Sequence, residues 1–325
     1  MSFPLNSRIK DLKKLPAFRD VGDYIIYMPG IMGVLMGGMR INAVGRAGWN
    51  SESLIYGLQR LEEVTSKGRC LYRVYSDAEC AGEKRKQDVN VIFFPKTKDC
   101  GKKPVMVICA GGGYMGVCTA VEGFPVAARF NDLGYDAFLV TYRVNEKKIM
   151  PKPLDDLAAC LKFIFDNRGK FGTSEEYVLC GFSAGANLIS LFGTENLGYS
   201  VYGLPKPKAM IPVYTFVDNN LCGDSPVMKA CLKTMFGKNP SPQVRRAYNV
   251  CEHLGSYPPS YLVCGKNDST VPPANSELLK RCLDKRGIPA VLEEGDNAEH
   301  GFGEGRGTSV EGWYLRADEF IAGLA

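Results

Sequence analysis

Tyr177-Val178-Leu179-Cys180-Gly181-Phe182-Ser183-Ala184-Gly185 is the stretch from which the rest of the chain can be read. Four apolar residues running into Gly-x-Ser-x-Gly, with more apolar sequence behind, predict a buried strand, a tight turn and a helix. Glycine is needed two residues either side of Ser183 because side chains there would collide with the strand and the helix. The result is a serine hydroxyl presented at the top of a sheet. With 36 Gly in 325 residues, composition alone supplies about 0.2 such matches, so the neighbouring sequence must carry the reading.

A serine held this way reacts only with a base beside it, a group that orients the base, and donors for a developing oxyanion. The chain has two histidines. His300 lies in Asn297-Ala298-Glu299-His300-Gly301-Phe302-Gly303, just past the apolar run Ala290-Val291-Leu292, so it sits on a glycine-flanked loop at a strand's carboxyl end. His253, in Asn249–Leu254, reads as a surface or capping histidine. The apolar run Ser260–Cys264 leads into Gly265-Lys266-Asn267-Asp268, which makes Asp268 the candidate acid for fixing the imidazole tautomer. Its bland alternative is a turn or cap aspartate before a helix near Pro272. Asp296 is too close to His300 in the same loop to be the acid.

The strand Pro104–Cys109 ends in Ala110-Gly111-Gly112-Gly113-Tyr114. Three successive glycines let backbone N–H groups point into a cavity unobstructed. Together with the N–H after the serine, they predict an oxyanion cradle of Gly112, Gly113 and Ala184. A phosphate loop would need a following Lys-Ser or Lys-Thr, which is missing. Tyr114, Met115, Phe182 and Tyr214 adjoin these loops and are the candidate substrate-binding residues.

With these motifs in order, the chain resembles an α/β-hydrolase of the hormone-sensitive-lipase-like and acetyl-esterase group, which includes carbohydrate acetylesterases and feruloyl-esterase-like enzymes. Further matches are Thr141-Tyr142-Arg143, Leu154-Asp155-Asp156 and Val271-Pro272, and the likeness covers about residues 85–325. Ala110 stands where lipases of this group usually carry histidine. The resemblance implies a serine esterase acting on short-acyl, acetyl-like esters, including those of carbohydrates, through Ser183, His300 and Asp268. It requires no metal and no organic cofactor. Two alternatives remain: a peptidase or amidase of the oligopeptidase type, and a non-catalytic binding protein on a hydrolase fold.

Alternating strand and helix signals from about residue 69 predict a mainly parallel, eight-stranded sheet with helices on both faces. The expected strands are Cys70–Tyr75, Val89–Phe94, Val105–Cys109, Ala137–Tyr142, the run before Ser183, Ala209–Val213, Ser260–Cys264 and one near residue 290. Helices are expected over Pro153–Asn167, with Leu154, Leu157, Ala158, Leu161 and Phe165 as its apolar stripe, and over Val310–Leu324. The expected division is a cap or lid at 1–66 and a catalytic domain at 67–325 with a helical insertion at about 215–258. Tyr24–Met39 is free of charge but shorter than the roughly 20 apolar residues of a membrane span. Pro29 predicts a first helical turn there, with Met28, Met32, Met36 and Met39 on one face.

Composition sets outer bounds. A formal charge of +5, with Lys84-Arg85-Lys86 as its one tight basic run, argues against a nucleic-acid surface. Twelve cysteines without Cys-x-x-Cys spacing, and no secretory pattern over Met1–Lys14, predict free thiols, a cytoplasmic location and no zinc site. The expected partner is a small-molecule ester, with no stable membrane insertion. A homo-oligomer is compatible with the sequence, which sets no oligomeric state.

Overall fold

The apolar runs become one eight-stranded sheet in the computed structural model, which describes residues 3–324. Residues 1, 2 and 325, at the outer ends of the two expected segments, lie outside that range. The strands are β1 (Leu71–Arg73), β2 (Asn90–Phe94), β3 (Val105–Cys109), β4 (Ala137–Thr141), β5 (Tyr177–Phe182), β6 (Ala209–Val213), β7 (Ser260–Gly265) and β8 (Ala290–Gly295). Their order across the sheet is β1-β2-β4-β3-β5-β6-β7-β8. The pairs β1/β2 and β2/β4 run antiparallel, and the others are parallel. The carboxyl ends of β3, β5, β6, β7 and β8 therefore share one edge of the sheet, where ligands of such sheets bind.

Every residue of β3 to β7 is buried, as strands covered on both faces must be. Strand alternation divides them between two cores: Met106 and Ile108 enter one, Val105, Val107 and Cys109 the other. The sheet edges are guarded by shortness in β1 and by Glu293 and Glu294 in half-exposed β8.

Among the described residues the helices of eight or more residues are α1 (Ile31–Gly38), α2 (Ser51–Ser66), α3 (Phe124–Asp132), α4 (Lys152–Asp166), α5 (Ala184–Phe192), α6 (Pro226–Phe236), α7 (Ala274–Asp284) and α8 (Trp313–Ala322). α2 starts where the Asn50 side chain accepts from the Glu52 and Ser53 N–H groups at 2.9 and 3.0 Å. Its Gly57 lies so close to Phe124 and Pro125 of α3 that a Cβ there would come within 2.7–2.9 Å of them. α4 buries Leu154, Leu157, Ala158 and Leu161 along the expected stripe and leaves Phe165 half-exposed. The 215–258 insertion holds α6 and a short turn of helix over Pro242–Arg246.

Two expectations are corrected. The last helix begins at Trp313 rather than Val310, because Gly312 before it takes a left-handed φ of 78° that no helical residue has. The charge-free N-terminal stretch is helical only over α1: Gly30, at φ 87°, leaves Met28 and Pro29 outside it, and extended Met39 ends it. Met28, Met36 and Met39 pack against the core, while Ile31, Met32, Val34 and Leu35 are exposed. The 1–66 segment, expected as a cap or lid, also packs into the core. α2 covers the sheet through α3, and Phe18, Ile25, Ile41 and Val44 enter the same core as Met106, Phe182 and Trp313.

All twelve cysteines are free thiols. Among the described residues no helix is long and apolar enough to cross a membrane.

Candidate active site

Ser183 stands between β5 and α5 at φ 51°, a conformation rare for a side chain larger than glycine. Its N–H donates to the Val213 carbonyl at 3.1 Å, which anchors the turn to β6. A Cβ on Gly181 would come within 2.5 Å of the Gly185 carbonyl oxygen, and one on Gly185 would meet the carbonyls of Cys109 and Ala110. The elbow is thus packed against the end of β3, where the glycine loop begins. Ser183 is buried but retains 8 % exposure.

The loops after β7 and β8 bring two more side chains to it. His300 Nε2 lies 2.9 Å from Ser183 Oγ, and His300 Nδ1 lies 2.7 Å from Asp268 Oδ2. Beside a carboxylate, Nδ1 carries the proton and Nε2 is left to accept from the serine hydroxyl. Asp268 also accepts from the Thr270 and Val271 N–H groups at 2.9 and 2.8 Å through Oδ1. Its turn-forming and imidazole-facing contacts use different oxygens, so the bland and functional readings coexist. The loop around His300 turns on Gly301 at φ 87° and Gly303 at φ 57°.

Gly112 at φ 135° and Gly113 at φ 62° curl the loop after β3. The Gly112 carbonyl accepts from the Met115 and Gly116 N–H groups at 3.0 and 3.1 Å. The N–H groups of Gly112, Gly113 and Ala184 donate to no other group among the described residues. The Tyr142 hydroxyl donates to the Ala110 carbonyl at 2.7 Å, supporting the start of the loop.

The four expected substrate contacts separate. Met115 is half-exposed, its terminal methyl beside Gly113. The other three are corrected to supports: Tyr114, Phe182 and Tyr214 are essentially inaccessible. Tyr114 is turned inward by its φ of 56° and donates from its hydroxyl to Asn187 at 2.8 Å. The Phe182 ring packs on Trp313 and Tyr214. The Tyr214 ring lies 4.7 Å from that of His300 and forms the floor beneath it. His253, outside the site, meets Asn196 and the Ala247 carbonyl, and Asp296 pairs with Lys266 at the surface.

Two residues that sequence reasoning missed belong here. Trp49, half-exposed, packs on the backbone beside His300, its indole 3.2 Å from where a Cβ on Gly301 would be. Nothing local marks it, since its partner is 252 residues away by chain position. Glu122 is fully buried behind the glycine loop: it accepts from the Gly111 N–H at 2.6 Å and from the Tyr214 hydroxyl at 2.9 Å. Burial raises its pKa, against the pull of those two donors and of His300. Its signal was available, for Glu122 is the sole charged residue between Lys103 and Arg129.

The N-terminal segment also reaches the loop. Tyr27 and Val117 exchange backbone hydrogen bonds of 2.7 and 3.0 Å, and Met28 lies against Gly116. A cleft of about 920 Å³ lined by Pro16, Arg19, Thr65 and Arg69 includes none of the site residues. Among the described residues no group of three or more His, Cys, Asp and Glu could hold a metal ion.

The sequence model of the BD-FAE family matches residues 91–283. Endo-1,4-beta-xylanase B of Butyrivibrio fibrisolvens is 25% identical over 231 residues, 65% of this chain and 34% of that protein. The protein of Mycobacterium tuberculosis named "Probable carboxylic ester hydrolase LipM" is 24% identical over 184 residues, 53% of this chain and 43% of its own length. The chain thus spans well under half of the curated relatives it matches. Among solved structures, the acetyl ester-xyloside bifunctional hydrolase of Caldicellulosiruptor lactoaceticus superposes with a TM-score of 0.67 at 22% identity, over 78% of this chain and 95% of that one.

Proposed function

Because the chain belongs to the BD-FAE family, we propose that it is a serine ester hydrolase that removes short acyl groups, acetyl foremost, from small esters including those of carbohydrates. The observation that carries this reading is the unbroken chain from Asp268 through His300 to Ser183, closed on one side by three unpartnered N–H groups. The names of two relatives, one an acetyl ester-xyloside hydrolase and one a xylanase, support the carbohydrate side of it.

In this mechanism Ser183 Oγ forms a bond to the ester carbonyl carbon while its proton passes to His300 Nε2. The carbonyl oxygen becomes an oxyanion held by the Gly112, Gly113 and Ala184 N–H groups, each worth about 3 kcal/mol at the transition state. Asp268 stabilises the imidazolium without taking its proton. Collapse breaks the bond to the alkoxide, which leaves with the proton from His300. Water then repeats the cycle on the acyl-enzyme, and the acid is released. Met115, Trp49 and the Tyr27–Met28 strap are the walls within reach of the acyl or alcohol group. The exposed apolar side chains of α1 face away from the core and give that strap the character of a lid.

Labelling with a fluorophosphonate, followed by peptide mapping, tests the reading directly: the label is expected on Ser183 and nowhere else. An unlabelled protein would leave a binding role on a hydrolase fold. A p-nitrophenyl ester series from acetate to decanoate, beside acetylated xylo-oligosaccharides and aminoacyl anilides, decides the substrate. Fastest turnover on anilides would replace the esterase reading with the amidase one.

A further inference from the structure

Glu122 is a buried acid for which the ester-cleaving chain has no use. It sits on a single π-helical turn, Thr119–Gly123, a local geometry that recurs at functional sites. Among the described residues its carboxylate has no cationic partner, and its two oxygens divide between two parts of the site. Oε2 accepts from the Gly111 N–H, at the base of the loop that carries Gly112 and Gly113. Oε1 accepts from the Tyr214 hydroxyl, and that hydroxyl accepts in turn from the Gly303 N–H at 3.4 Å, in the loop of His300. The Tyr214 ring supports the imidazole from below, and Tyr214 itself is held at a φ of 39°. Crowding is severe here: a Cβ on Gly111 would lie 2.9 Å from both Glu122 Oε2 and Ser183 Cβ. The ionisable groups that face Glu122 are Tyr214 and His300 across the site, Cys118 on its own turn and Tyr142 from the end of β4.

We propose that Glu122 is a positioning residue, a two-armed tie that fixes the glycine loop and the floor under His300 in one register. It touches neither substrate nor the reacting atoms. An oxyanion cradle works only if its donors sit within tenths of an ångström of where charge develops, and a loop of three glycines has little stiffness of its own. A carboxylate supplies two acceptors to two donors. An amide supplies one acceptor and one donor, so Glu122→Gln fills the same space and must release or invert one arm. The proposal rests on the ester-hydrolase reading of Ser183.

The test compares E122Q, Y214F and the double variant with the parent on p-nitrophenyl acetate, and measures amide hydrogen exchange at Gly111–Gly113. E122Q is expected to lower kcat by about 10- to 100-fold with KM within about threefold, since the loop acts on the transition state. Y214F should lower kcat less, and the double variant should match E122Q, because both break one tie. Gly111 exchange should quicken at least about tenfold in E122Q at an unchanged unfolding midpoint. An E122Q protein with parental kcat, or one whose kcat loss only tracks a lower midpoint, would overturn the proposal. If the parent hydrolyses no ester, the esterase reading fails, and Gly111 exchange alone decides the tie: unaltered exchange sinks it, faster exchange supports it.

Discussion

At the scale of single residues, Asp268 shows how one side chain meets two demands. Its Oδ1 is occupied by the Thr270 and Val271 N–H groups, which leaves Oδ2 aimed at His300 Nδ1. Asp268→Asn keeps an acceptor for the turn but sets an N–H₂ group against the imidazole N–H, forcing the wrong tautomer. It should cost about 10⁴-fold in kcat on p-nitrophenyl acetate, with the fold intact by circular dichroism. Ser183→Ala should cost about as much or more and abolish fluorophosphonate labelling. A D268N protein within tenfold of the parent would remove Asp268 from the mechanism. These positions were legible because each lies in a short local pattern at a strand's carboxyl end, where chemistry gathers in such sheets. Trp49 was not, and Glu122 showed only as an isolated charge, since what gives them meaning is a neighbour far off in sequence: the His300 loop for one, Tyr214 for the other. The same blindness misassigned Tyr114, whose adjacency to the glycine loop says nothing of the positive φ that turns its ring inward.

Elements were readable in proportion to how completely they are buried. Strands β3 and β6 came out with the expected ends because continuous apolar runs admit no other reading, whereas β1 kept only three of its six expected residues at the exposed sheet edge. The methionine helix failed because four methionines at helical spacing are silent about Gly30, whose φ of 87° starts the helix after Pro29. Close approach between elements gives two contrasting glycine substitutions. Gly185→Ala drives a methyl group into the Cys109 and Ala110 carbonyls, where backbone cannot yield, and should destabilise by about 3 kcal/mol. Gly169→Ala, in the exposed helical turn Arg168–Phe171 with open space around it, should stabilise by about 0.5–1 kcal/mol. Urea unfolding of both variants checks the pair, and equal midpoints would refute the packing argument. The Thr141-Tyr142-Arg143 and Leu154-Asp155-Asp156 matches also find their reason at this scale. The Arg143 Nε reaches both Asp156 oxygens at 2.9 Å and the Arg143 N–H donates at 2.8 Å, tying the end of β4 to the start of α4. Burial works against the Arg143 charge, but Asp156 outweighs it and raises the guanidinium pKa. Arg143→Met strands the Asp156 charge in the core and should cost about 3–5 kcal/mol in the same unfolding measurement.

For the molecule as a whole, the expected boundary at residue 66 divides stretches that differ in composition yet share a core. Phe18, Ile25, Ile41, Val44 and Leu58 are fully buried beside Phe182 and Trp313, so the N-terminal segment stabilises the sheet whatever it does for substrate. The overall balance of +5 conceals a second whole-molecule property, the uneven placement of its acids. Burial raises the carboxyl pKa values of Glu122, Asp136 and Asp156 above the ordinary 4.5 and 3.8. A carboxyl with a raised folded pKa binds protons better in the folded protein than in the unfolded chain. Its contribution is fully present below the ordinary value and is lost as pH rises through the raised one. Glu83 has the opposite sign: burial opposes it, but Lys152 and Arg143 bring it below 4.5, so its stabilisation exists above that pH and disappears as pH falls. The two trends leave a maximum on the acid side of neutrality. From that maximum the unfolding midpoint should therefore fall as pH rises through the raised carboxyl values. Asp136→Asn keeps an acceptor for the Lys96 N–H, 3.0 Å away, while removing the ionisable group, so it should reduce that fall. Calorimetric scans of both proteins from about pH 4 to pH 8 decide it: a parent midpoint that only climbs across that range, or an equal slope in D136N, would mean that these acids do not govern the profile.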